Sequence, residues 1–212
     1  IPESEASNSV ILYKCISFPY KWEKDKVILN NVKACDSVVL QNDLGQYLFI
    51  TSLMDEKSTN ERKNFCYVHN VMYELDEELN IIPHSKKELS EGDYGIRNAG
   101  KVIKTKSNLI RIAQNCTEGM YGKGLVFWAL DSYNPYKEHV LTNIDYEKAC
   151  NHITHIDHNG KIEGIHTYNC SAHYEIIDFM IFNELPVYYK LYYFLGNRIF
   201  KIISKIERFI RS

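Results

Sequence analysis

The sequence predicts an all-β protein made of repeated antiparallel units. Runs of β-branched and aromatic residues follow one another at short intervals, separated by turn residues. Three hairpin-like stretches recur at intervals of about 60 residues, each followed by one or two further strands. That spacing suits four-stranded blades of a β-propeller. An irregular β-sandwich with the same number of strands is the open alternative.

Taken in order, "IPES" reads as the end of a strand whose partner precedes it. "VILYKCI" and "KDKVILN" are strand runs. The first full hairpin, "CDSVVLQNDLGQYLFITS", spans 35–52 and turns at Asp43-Leu44-Gly45. "NFCYVHNVMYEL" continues it. The second hairpin, "IRNAGKVIKTKSNLIRIAQN", spans 96–115 with its turn near Lys106-Ser107-Asn108, and "GLVFWALDS" and "EHVLTNI" follow. The third, "NHITHIDHNGKIEGIHTYN", spans 151–169 around Asn159-Gly160, the strongest short hairpin signal in the chain. Then the period changes. Ile199, Ile202, Ile203, Ile206, Phe209 and Ile210 follow helical spacing, with Arg198, Lys201, Lys205, Arg208 and Arg211 on the opposite face. We therefore expect blades over 1–182 and a basic amphipathic helical tail over 185–212.

The chain has 212 residues, 45% of them hydrophobic, enough for one sizeable domain or two small ones. Only 10 Gly and 5 Pro, with no low-complexity tract, argue against disorder. A net charge of -2 gives the whole chain no nucleic-acid footprint. From 185 to 212, however, Glu207 is the only acid against Lys190, Arg198, Lys201, Lys205, Arg208 and Arg211. Such a helix, with an aromatic flank, suits an anionic membrane surface over 186–212; packing on the propeller or on a second copy is the plainer reading. No apolar run approaches the roughly 20 residues of a spanning helix. The 6 cysteines show no CxxC or CxxH spacing. They fit a reducing, cytoplasmic location, with the protein peripheral at the membrane if the tail binds it. The abrupt start at "IPES" leads us to expect that an N-terminal part is missing.

Hairpin arithmetic then gathers a site. The start of the first arm lies beside the end of the second in an antiparallel pair. Reflection about each turn sets Asp36 against Thr51 and Ser52, Arg97 against Gln114 to Cys116, and His152 against His166 and Thr167. In a propeller those ends converge on one mouth of the central channel, and "IPES" brings Glu3 into the same ring. The candidates are Glu3, Asp36, Arg97, Gln114, Asn115, His152 and His166.

Several stretches in order ("IPES…VILYKCISFPYKWEKDKVIL", "DSVVLQNDLGQYLFITS", "IRNAGKVIK…LIRIAQNC…YGKG" and "GIHTYN") resemble the N-terminal domain of glucosamine inositolphosphorylceramide transferase and its bacterial relatives. The resemblance covers about residues 1–180 and rests on the ordered set rather than on one motif. It implies a five-bladed β-propeller with an arabinanase- and invertase-like architecture, of which the first blade and part of the second precede this chain. It also implies a place in surface-polysaccharide or glycolipid biosynthesis, beside a formyltransferase-like or glycosyltransferase domain or partner. The family pattern carries Asp where this chain has Asn115 and Pro where it has Asn98. The first departure removes a carboxylate from the mouth.

Hydrolysis of a glycosidic bond needs two carboxyl groups roughly 5 to 9.5 Å apart. Glu3 and Asp36 are the pair on offer, one kept protonated by burial and the other ionised. Arg97 can clamp a phosphate or carboxylate in bidentate fashion, while Gln114, Asn115, His152 and His166 suit sugar hydroxyls. The plainer reading has Asp36 and Arg97 pairing across adjacent blades to hold the channel closed. His152 and His155 fall on opposite faces of one strand, so no metal site is expected, and no cofactor. Trp22 and Trp128 sit inside strand runs, where core packing is the commoner role. Two function classes remain: a glycan-active propeller that acts on or assists glycosyl transfer, and a non-catalytic module that binds a carbohydrate or recruits a partner enzyme.

Overall fold

A computed structural model describes residues 3–4, 7–54, 67–151 and 161–182. It is all-β, with several sheets. Strands β1 (Glu3–Ser4), β2 (Ser9–Ser17) and β3 (Lys21–Asn30) form the first, and β4 (Ala34–Gln41), β5 (Tyr47–Leu53), β6 (Val68–Leu75) and β7 (Lys87–Gly92) the second. In the third, β8 (Tyr94–Asn98), β10 (Leu109–Asn115), β11 (Gly124–Tyr133) and β12 (Tyr136–Asp145) lie in that order, and the short β9 (Ile103–Lys104) also pairs with β10. A one-turn helix, α1 (Tyr146–Cys150), leads towards the pair β13 (Lys161–Cys170) and β14 (Glu175–Phe182). Neighbours within the first three sheets are antiparallel.

Period-2 alternation explains why the central strands are apolar on both faces. Phe49, Val71 and Tyr73 of β5 and β6 pack with Val10 of β2 and Ala34. Their sequence neighbours Leu48, Ile50 and Met72 point the other way, onto Val102 and Leu109 beside the third sheet. Ile112 and Leu125 of that sheet in turn pack with Ile165 of β13, and Ile177 and Phe179 of β14 join them. Each interior sheet is thus buried by the one before and the one after. Every fully buried large side chain in these layers contributes about 1.5–3 kcal/mol.

The hairpin registers place the candidate residues. In the first hairpin Cys35 faces Ser52 and Val38 faces Ile50, so Asp36 and Ser37 together oppose Thr51. This is a β-bulge, and Asp36 adopts a left-handed backbone there (φ 55°). The bulge re-aims the Asp36 side chain out of the ladder, while Ser37 Oγ and Thr51 Oγ1 share a hydrogen bond of 2.8 Å. In the second hairpin Asn98 faces Ala113 and Tyr94 faces Asn115, which brackets Arg97 and Gln114 as the reflection expected.

One expectation differs from what is observed. "IRNAGKVIK" is not one arm, because the chain leaves the ladder between Asn98 and Ile103. There β13 docks against it: Tyr168 N donates to Ala99 O at 2.8 Å and Lys101 N to Asn169 Oδ1 at 2.9 Å. Gly100 (φ 151°) permits this approach, since a Cβ would lie 2.0 Å from Tyr168 O. "GKIEGIHTYN" also pairs forward, with β14. His152 and the Asn159-Gly160 turn lie outside the described residues, as does the tail at 185–212.

Candidate functional site

Three strands from three sheets, β4, β8 and β13, meet around a cleft of about 400 Å³ lined by Asp36, Ser37, Asn98, Lys101, Thr167 and Asn169, among others. On one side of it a continuous series of polar contacts runs from sheet to sheet. It begins at Asp36 on the bulge of β4. Arg97 Nε of β8 donates to Asp36 Oδ2 at 2.6 Å, with the side chains only 11% and 15% exposed. Burial opposes the guanidinium charge, but the Asp36 carboxylate more than offsets it and holds the Arg97 pKa above its ordinary value. Asn98 Nδ2 adds a bond to Asp36 O at 2.7 Å, so adjacent residues of β8 grip one residue of β4.

The far side of Arg97 faces Tyr121, its Cζ 5.5 Å from the ring centroid, within cation–π range. Tyr121 lies in the β10–β11 connection, in the "YGKG" run. Gly122 (φ 72°) turns that connection so that its carbonyl accepts from Ile165 N at 2.7 Å. This seats Tyr121 against β13, where its hydroxyl is hydrogen-bonded to His166 Nε2, the ring centroids 5.0 Å apart. On the other edge of the imidazole, Nδ1 lies 3.0 Å from Asp178 Oδ2 of β14. Asp178 Oδ1 accepts from Thr167 N. Partial burial pushes the Asp178 carboxyl pKa up, yet the hydrogen bonds from Thr167 and His166 outweigh it and hold it below the usual range.

These contacts fix a tautomer. An ionised Asp178 only accepts hydrogen bonds, so Nδ1 of His166 carries the proton. In the neutral ring Nε2 is then left as the acceptor for the Tyr121 hydroxyl.

Of the seven expected residues, Asp36, Arg97 and His166 are brought into this series. Gln114 and Asn115 stand behind it and are buried. Gln114 Nε2 donates to Asn98 O at 3.4 Å and its Oε1 accepts from Cys116 Sγ at 3.6 Å. Asn115 Oδ1 accepts from Thr117 N and Oγ1 at 3.1 and 2.9 Å, tying down the start of the loop that carries Tyr121. Glu3 lies on β1 opposite Val10, and the position of its side chain is outside the described part of the structure, like His152. Tyr121 and Asp178 were not anticipated. A signal for each was present: a tyrosine beside a glycine just after a polar strand end, and a lone carboxylate within the apolar run "IIDFMIF".

The family described as "Glucosamine inositolphosphorylceramide transferase 1, N-terminal" matches residues 1–164. The chain belongs to this family. It is 30% identical over 125 residues to glucosamine inositolphosphorylceramide transferase 1 of Arabidopsis thaliana, covering 58% of this chain and 15% of that protein. The proteins of the same name from Oryza sativa subsp. japonica and subsp. indica are each 27% identical over 153 residues, 70% of this chain and 20% of theirs. The match thus spans only 15 to 20% of the length of these curated relatives.

Proposed function

We propose that this chain is a β-propeller module that recognises a glycan or glycolipid and assists glycosyl transfer in cell-surface polysaccharide or glycolipid assembly. The observation that carries the reading is the polar series Asp36–Arg97–Tyr121–His166. It unites residues of three sheets beside one cleft, in a family named for a transferase. Support for the propeller comes from consecutive sheets stacked face to face in chain order, with β4, β8 and β13 turned towards that cleft. Five blades, with the first and part of the second preceding this chain, are what the family resemblance adds.

Between hydrolysis and recognition, the Asp36–Arg97 ion pair favours recognition. A catalytic carboxyl has to face the scissile bond, and Asp36 commits its Oδ2 to Arg97 in a largely buried pair, which leaves at most its other oxygen for a sugar. The partner domain is then a glycosyltransferase or formyltransferase-like unit, and the basic segment 186–212 would hold the module on the cytoplasmic side of an anionic membrane.

The test is calorimetric titration of the protein with short glycans and with glycolipid headgroups carrying amino sugars. Arg97→Gln and His166→Gln should each weaken binding by about tenfold, the upper end of the worth of one hydrogen bond. Unchanged affinity in both variants overturns the reading.

A further inference from the structure

We infer that Tyr121 is the reactive group of this mouth: a phenol whose proton is drawn off by His166, itself held in the accepting tautomer by Asp178. The inference rests on the reading above for its substrate, a sugar hydroxyl, but not for its chemistry.

The geometry supplies each requirement of an activated nucleophile or base. The hydroxyl is hydrogen-bonded to a ring nitrogen, and that ring is oriented by a third group. Asp178 is oriented in turn, because Thr167 N occupies its other oxygen. The guanidinium of Arg97, 5.5 Å from the centre of the Tyr121 ring, stabilises the negative charge that grows on the phenol as the proton leaves. Asp36 prevents Arg97 from swinging away. Tyr121 is half-buried rather than sealed in the core.

In glycosyl transfer the relay would act only on the acceptor that this module presents, with the glycosyl donor held by the partner transferase domain. The acceptor hydroxyl gives its proton to Tyr121 Oη as the Tyr121 proton passes to His166 Nε2, producing an imidazolium paired with Asp178. The acceptor oxygen forms a bond to the anomeric carbon of a glycosyl donor. The donor's bond to its leaving group breaks, and the electron pair departs with that group. This arrangement takes a proton without a free carboxylate, which Asp36 does not offer.

The substrate-independent probe is an aryl sulfonyl fluoride. Tyr121 Oη would form a bond to sulfur, the S–F bond would break, fluoride would leave, and the phenol proton would go to His166. The full chain is treated briefly near neutral pH, and modified tyrosines are mapped by mass spectrometry. Tyr20, which is 92% exposed, serves as the internal reference. Tyr121 should be labelled roughly a hundredfold faster than Tyr20, the low end of general-base assistance.

Asp178→Asn is the sharpest variant. Thr167 N keeps the amide oxygen at 178 engaged, so the NH₂ faces His166 Nδ1 and forces the proton onto Nε2, which can no longer accept from Tyr121. Labelling of Tyr121 should fall to the Tyr20 level, and nitrogen NMR of the His166 ring should show the tautomer exchanged. His166→Phe should lose labelling in the same way without introducing a new donor. Labelling of Tyr121 no faster than Tyr20 in the unmodified protein, or unchanged in both variants, overturns the assignment. Either outcome leaves the glycan-binding titration to stand or fall separately.

Discussion

Arg97 has a double duty that a single substitution exposes. Its guanidinium joins the second sheet to the third through Asp36 and covers one face of Tyr121. Removing it leaves the Asp36 carboxylate mostly buried without its cation, and such a loss costs up to 3–5 kcal/mol in a fully buried pair. With the side chains 11% and 15% exposed, we expect Arg97→Ala to lose about 2–3 kcal/mol in urea unfolding. Asp36→Asn should lose less, because its amide oxygen still accepts from Arg97. The double variant should recover part of the sum, with a coupling of about 1–2 kcal/mol. Strictly additive losses would mean that the pair holds nothing together.

At the scale of elements, the critical joint is where β13 approaches the gap between β8 and β9. A Cβ on Gly100 would lie 2.0 Å from Tyr168 O, a backbone atom that cannot rotate out of the way. Gly100→Ala should therefore separate β13 from Ala99, and hydrogen exchange should show protection lost at the Tyr168 amide. Gly119→Ala is the matched control. It has positive φ (71°) but nothing within 4 Å, so it should cost only the left-handed backbone penalty of about 1–2 kcal/mol. Equal exchange at Tyr168 in both variants would sink the account. This joint also marks where the sequence stops being readable. Alternation and turn residues sufficed for β4–β5 and β10, and reflection about their turns put Asp36 and Arg97 at neighbouring strand ends. Period-2 patterning says nothing about which partner a strand chooses, so the split after Asn98 and the forward pairing of β13 with β14 were not legible. The polar edge strand β7, "KELSEG", has too little apolar alternation to announce itself. Tyr121 escaped for a related reason, since it reaches the site through a contact between sheets, and Asp178 escaped because it comes from β14, the unforeseen partner of β13.

Among the described residues the interior sheets are buried by their neighbours, so the weakest pH limit there should lie where a titrating group sits between sheets. Tyr168 is such a group. Its ring packs edge-on against Phe127 of the third sheet, and its backbone N is the bond to Ala99. Burial first, then the nearby Cys170 and Glu175, push its phenol up to about 12. Tyr136, stacked into the cluster of the second and third sheets, is raised as well, again chiefly by burial. An unfolded tyrosine titrates near 10. Because the folded value is the higher one, the contribution of Tyr168 is intact below about pH 10 and is lost as pH rises towards 12. Urea unfolding measured at steps across that window should show stability falling with pH. Tyr168→Phe, which keeps the ring packing but removes the titrating hydroxyl, should flatten the fall, and exchange at the amide of residue 168 should stay slow to higher pH. An identical alkaline slope in the Phe variant would place the limit at another joint, with Tyr136→Phe the next variant to measure.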